Sequence, residues 1–122
     1  MKATKILYWV LTGVVSLMML YSGYAYLNNP QVAQAFTHLG YPGYFRVELA
    51  IGKIIGVVLL LSPVPPRVKE WVYAGFGITF VSAFIAHTAS GDPLVNRVMT
   101  LLFLALLTGS YLTYHKLQAK AA

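Results

Sequence analysis

The 122-residue sequence has no cysteine, so it can form no disulfide, no CxxC redox pair and no thiolate metal site. Any redox chemistry would have to rely on a borrowed cofactor. Acidic residues number only 3 against 9 Lys and Arg, and charged residues fill 10% of the positions, where an ordinary soluble domain carries about 25%. That scarcity excludes a water-soluble fold. HExxH, GxSxG and a phosphate-cradling glycine loop are absent too. No two histidines stand at i and i+4, as haem or zinc on one helix would require, and His38, His87 and His115 fall on separate elements, so no metal is expected. The formal net charge of +6 does not point to nucleic acid. The Lys and Arg residues sit in pairs at the ends of apolar stretches rather than gathered on one solvated face.

Most of the chain consists of four long apolar stretches, and hydrophobic residues make up 58% of it. From Ile6 to Leu27 no Asp, Glu, Lys, Arg or His occurs, and at about 1.5 Å per residue that run crosses a hydrocarbon layer of roughly 30 Å. Spans are expected at about 6–27, 44–61, 68–88 and 94–114. Ser62-Pro63-Val64-Pro65-Pro66 breaks the second from the third, and Ser90-Gly91-Asp92-Pro93 breaks the third from the fourth. Lys2 and Lys5 before the first run resemble the start of a signal peptide. The run is too long for one, however, and no A-x-A-like cleavage site follows, so it is expected to be retained as a span. The fold expected is an all-α, integral membrane four-helix bundle. Residues 1–122 form a single membrane domain, with a short amphipathic helix between spans one and two.

That short helix is read from Val32, Ala35, Phe36 and Leu39 at helical spacing opposite Gln31, Gln34 and Thr37, ended by Gly40-Tyr41-Pro42-Gly43. It is either a connecting segment covering the bundle or a lid over a pocket. Lys2, Lys5, Arg67, Lys69, Lys116 and Lys120 flank the spans on the side of the termini, while the other side has Arg46 and Arg97. The positive-inside rule then places both termini in the cytoplasm of a multi-pass protein. Most of the Tyr and Trp residues fall near span ends, where such rings serve as interfacial anchors.

Ionisable groups inside spans cost about 2.5–3.5 kcal/mol at the centre and call for a reason. Glu48 and Lys53 lie roughly 6 Å and 13 Å below the outer boundary of the second span. Gly52 and Gly56 sit about 40° and 80° around the helix from Glu48, and Lys53 about 140°. This GxxxG pair allows close approach of another helix, which would hold both charges in a shared interior. The expected partner is the stripe Gly75, Thr79, Ala83 and His87, spaced every four residues on the third span. Glu48, Lys53, His87, Asn96 and Arg97 are thus candidate ligand-binding residues near the outer leaflet, for a polar headgroup or for proton transfer. The competing reading is structural: Lys53 neutralising Glu48 or snorkelling, with His87 and Arg97 among headgroups. No catalytic residue is assigned.

The stretch Val68-Lys69-Glu70-Trp71-Val72-Tyr73-Ala74-Gly75-Phe76, with Ala83, His87 and Gly91-Asp92 after it, resembles the DoxX-like family. Phe36-Thr37-His38-Leu39-Gly40-Tyr41-Pro42 and Gly52-Lys53-Ile54-Ile55-Gly56, leading to Leu61-Ser62-Pro63, are similar to the same family. The resemblance covers about residues 6–115. It implies a four-helix protein of the bacterial inner membrane, with matching positions Glu48, Lys53, Glu70, Trp71, Tyr73, His87 and Asp92. The wider group includes a membrane subunit associated with thiosulfate:quinone oxidoreduction, components of membrane oxidoreductase complexes, and proteins that assist export or assembly. A quinone or lipid-like molecule is accordingly the candidate ligand, and the lipid bilayer the first partner. Three classes stay open: a small subunit or binding module associated with redox processes, a membrane enzyme acting on a lipid-soluble substrate, and an assembly partner for another membrane protein or a second copy.

Overall fold

A computed structural model describes residues 2–121, with side chains through Ala119; Lys120, counted above among the flanking cations, lies outside the described side chains. Five helices follow in order: α1 (Lys2–Asn28), α2 (Pro30–His38), α3 (Gly43–Leu61), α4 (Pro66–Ala89) and α5 (Leu94–Ala121). Among the described residues there is no strand.

The contacts run antiparallel. Ser22 and Tyr26 of α1 meet Lys53 and Arg46 of α3. Thr12 meets Ser110 of α5, and Tyr8 meets Tyr114 with ring centroids 6.1 Å apart. Phe80 of α4 stacks on Phe103 of α5. The bundle is therefore α1, α3, α4 and α5 in alternating directions, with α2 across one end. The start of α1, the last turns of α5 and the proline turn after α3 share the opposite end.

Val15, Met19, Val57 and Leu60 form the centre of the core, with Phe76 and Phe80 against them. The outward surface is apolar as well: Leu17, Ile55, Ile78, Ile85 and Leu101 are all exposed. In water such a contiguous apolar surface would drive association, whereas in lipid it is the expected exterior. α1, α4 and α5 are each long and apolar enough to cross a bilayer. The protein is a multi-pass membrane protein.

Of the four expected spans, these three meet a criterion of length, hydropathy and few charges. α3 has 19 residues, enough for roughly 28 Å, and is on average the most apolar of the long helices, but Arg46, Glu48 and Lys53 give it three charges where the others carry no more than two in such a window. It packs into the bundle as a fourth helix all the same, against α1 and α4.

Both ends of the lid region are fixed by local chemistry. Asn29 caps α2 by accepting the Gln31 N–H at 2.9 Å, and Pro30 opens the first turn. At the other end the Gly40 N–H donates to Thr37 O and the Tyr41 N–H to Phe36 O, with Gly40 at φ 86°. This is the Schellman closure that glycine permits. Its apolar clasp is Phe36 against Tyr41, ring centroids 5.7 Å apart. α4 ends the same way: Gly91 at φ 70° donates to Thr88 O and the Asp92 N–H to His87 O. That turn brings Asp92 back over His87.

Candidate functional site

Under α2, and between α3 and α4, lies a cavity of about 410 Å³. Its walls are mainly apolar and aromatic, including Tyr26, Phe36, Phe45 and Leu49, with Thr79, Ser82 and His87 as polar points. Size and lining are those of a small-molecule site between helices. The amphipathic helix therefore covers a cavity with its apolar face, as the lid reading expects. It is held there by Phe36 edge-on to Tyr26 at 4.9 Å and by Tyr41 against Phe45 at 5.0 Å.

The lid is also tied by charge. The Asp92 carboxylate accepts from His87 Nδ1 at 2.6 Å and from His38 Nε2 at 2.7 Å. An ionised carboxylate only accepts, so both hydrogen bonds require N–H on the imidazoles and fix their tautomers. His87 then keeps Nε2 as its free nitrogen, an acceptor on a neutral ring and a donor on a protonated one. These bonds, that from His87 first and that from His38 second, hold the Asp92 carboxyl below its ordinary value of 3.8. His38 and Asp92 were not among the candidate site residues. The sequence gives no pairing signal across 54 positions, although the two lie in the family-like segments.

Of the candidate residues, His87 lines the cavity. Glu48 and Lys53 line a neighbouring groove of about 320 Å³ between α3 and α4. They do not share an interior as expected. Glu48 is exposed and, among the described residues, has no hydrogen-bonding or ionic partner, whereas Lys53 is buried against α1. Lys53 Nζ donates to Ser22 Oγ at 2.7 Å and lies 3.9 Å from the centre of the Tyr26 ring. With α1 rather than α4 behind it, the ammonium is compensated by a hydroxyl and a π face. Asn96 and Arg97 begin α5 and line neither cavity, so the structure does not bring them to the other three.

The glycine pair also behaves differently from expectation. Only Gly56 is a point of close approach: a Cβ there would lie 2.6 Å from two atoms of the Phe76 ring, while one at Gly52 or Gly75 would meet nothing within 4 Å. The stripe expected to pack on the glycines lines space instead. Gly75 and Thr79 face the groove, and Thr79, Ala83 and His87 face the cavity.

A second polar cluster occupies the other end of the bundle. Glu70 accepts from Tyr111 at 2.9 Å and pairs with His115 at 2.6 Å. Beside it, Ser110 bonds both Thr12 at 2.6 Å and Tyr73 at 2.7 Å in the buried core. Lys69 donates to the Leu60 carbonyl at the end of α3 and satisfies one of the acceptors a helix end leaves open.

The family model described as the DoxX-like family matches residues 10–110. No curated protein and no solved structure matches the chain.

Proposed function

Since the chain belongs to the DoxX-like family, we propose that it is a small membrane subunit or binding module that holds a quinone or lipid-like amphiphile beneath α2. The observation that carries this reading is the lidded 410 Å³ cavity with His87 in its wall. The apolar walls exclude water, and the free Nε2 of His87 offers one directional contact to a polar head. With Nδ1 held by Asp92, that contact is oriented in advance. A binding role is favoured over an independent enzyme because Glu48 and His87 line different cavities, whereas a coupled acid and base should meet at one substrate position.

The setting we propose is the bacterial inner membrane with both termini in the cytoplasm. Lys2, Lys5, Arg67 and Lys116 flank the helices at the end where the termini lie, which suits the positive-inside rule. Tags at either terminus should be accessible only after permeabilisation.

Full-length protein purified from native membranes into nanodiscs, then extracted and analysed by mass spectrometry, should release an amphiphile enriched at about one per chain over bulk lipid. Ala83→Phe, which fills the cavity, should abolish the enrichment, and His87→Ala should weaken it. Recovery of bulk lipid alone, identical in all three proteins, would refute the reading.

A further inference from the structure

The cavity under α2 is not isolated. Leu49 and Thr79 line both it and the groove between α3 and α4. Tyr26, in the cavity wall, carries the Lys53 ammonium on its ring, and Lys53 lines the groove. The two spaces thus meet at a neck marked by Leu49 and Thr79.

From that neck the groove follows α3 from Leu49 to Leu59, roughly 15 Å along the helix. Its walls are open at Gly52 and Gly75, where no side chain and no neighbouring atom fill the space a Cβ would take. Its floor closes where Phe76 packs on Gly56. Exposed Ile55 and Trp71 stand at its outer rim. On a surface that faces lipid, a groove of this kind opens sideways into hydrocarbon.

We propose that this groove is the tail site of the ligand whose head lies under α2, so that the ligand is an amphiphile with a compact head and one long hydrocarbon chain. The inference rests on the reading of the α2 cavity as a ligand site and extends it. Continuity through Leu49 and Thr79 identifies the occupant: a chain leaving the cavity reaches the groove without crossing water or either helix. One groove, walled by two helices, takes one chain and not the two of a phospholipid. A ligand can then enter from the bilayer head-first past Gly52 and Gly75, its tail coming to rest in the groove, while α2 stays tied over the head. Because the tail leaves hydrocarbon for a protein groove that is no more apolar, it adds positional selectivity more than affinity.

The test uses the full chain in nanodiscs with a benzoquinone probe bearing a decyl tail that ends in a diazirine, and a competitor with the same head and only a methyl group. Irradiation should label the groove faces of α3 and α4, and excess competitor should reduce that labelling at least fivefold. Gly75→Leu and Gly52→Leu, placed where there is room, should cut groove labelling to a similar extent while the methyl compound is still retained in equilibrium dialysis. Groove labelling indifferent to the competitor would mean bulk lipid fills the groove and would overturn the proposal. So would labelling confined to other helices with the methyl compound retained, which leaves the α2 reading standing. An intermolecular disulfide from Gly52→Cys that blocks labelling would give the groove to a second copy and also overturn it. If the methyl compound is not retained at all, the α2 reading fails and the tail site with it.

Discussion

Gly56→Ala tests the packing between α3 and α4 most sharply, because the same substitution at Gly52 supplies its control one turn away on the same helix. At Gly56 the new methyl group would sit 2.6 Å from Cε1 and Cζ of Phe76, a ring only 5% exposed and therefore walled in. Real carbon contacts lie near 3.5–4.0 Å, so the ring or helix must shift by about 1 Å. Overpacking of this kind costs about 1–3 kcal/mol. Against that, alanine in a helix interior is favoured over glycine by roughly 0.5–1 kcal/mol. Gly56→Ala should therefore destabilise by about 0–2.5 kcal/mol, and Gly52→Ala, which meets nothing within 4 Å, should stabilise by up to about 1 kcal/mol. The propensity term cancels in the difference between the two variants. That difference should equal the overpacking cost, about 1–3 kcal/mol. Reversible unfolding in mixed micelles, followed by helical circular dichroism, measures it. Equal effects of the two substitutions, or a larger loss at Gly52, would refute the assignment of Gly56 as the contact point.

Ser22→Ala should destabilise by about 1.5–3 kcal/mol, since it strips a buried ammonium of its hydrogen-bonding partner, and the double variant with Lys53→Met should recover most of the loss in a double-mutant cycle. Ser110→Ala orphans two buried hydroxyls, those of Thr12 and Tyr73, and should cost about 2 kcal/mol or more in the same micelle assay; an effect no larger than at an exposed serine such as Ser82 would count against the network. Asp92→Asn should speed amide hydrogen exchange in α2 at neutral pH, leaving the core of α1 unchanged, because the tie joins α2 to the end of α4 and does not involve α1. In the parent protein the Asp92 contribution is complete above 3.8 and falls away only as pH drops through the lower folded value. Lid protection should hold from neutral pH down to about pH 4 as far as Asp92 decides it, and lid exchange accelerating between pH 4 and 5 in the parent protein, but not in Asp92→Asn, would contradict that sign.

What could be read along the chain was whatever depends on neighbours in sequence. Helix positions followed from apolar runs cut by proline and glycine, and the amphipathic α2 from its period. The glycines at 40 and 91 mark the two turns whose backbone takes positive φ. Membership of the family was legible because its motif residues lie in short contiguous segments. Glu48 and Lys53 stood out as groups needing a reason, but their partners did not.

The tertiary structure alone decided how each helix is turned about its own axis. In water an amphipathic stripe reveals the inward face, whereas here Ile51 and Ile55 face outward while Val57 and Leu60 face inward, and hydropathy cannot tell one set from the other. Packing settled it: Phe76 took the space at Gly56, which turned Lys53 toward Ser22 and Tyr26 and left Glu48 exposed in the groove. The tie from His38 to Asp92 closes over dozens of intervening residues once those rotations are set. Composition determined that this chain lies in lipid, and only the rotational fit of large residues against small ones determined where it has a cavity.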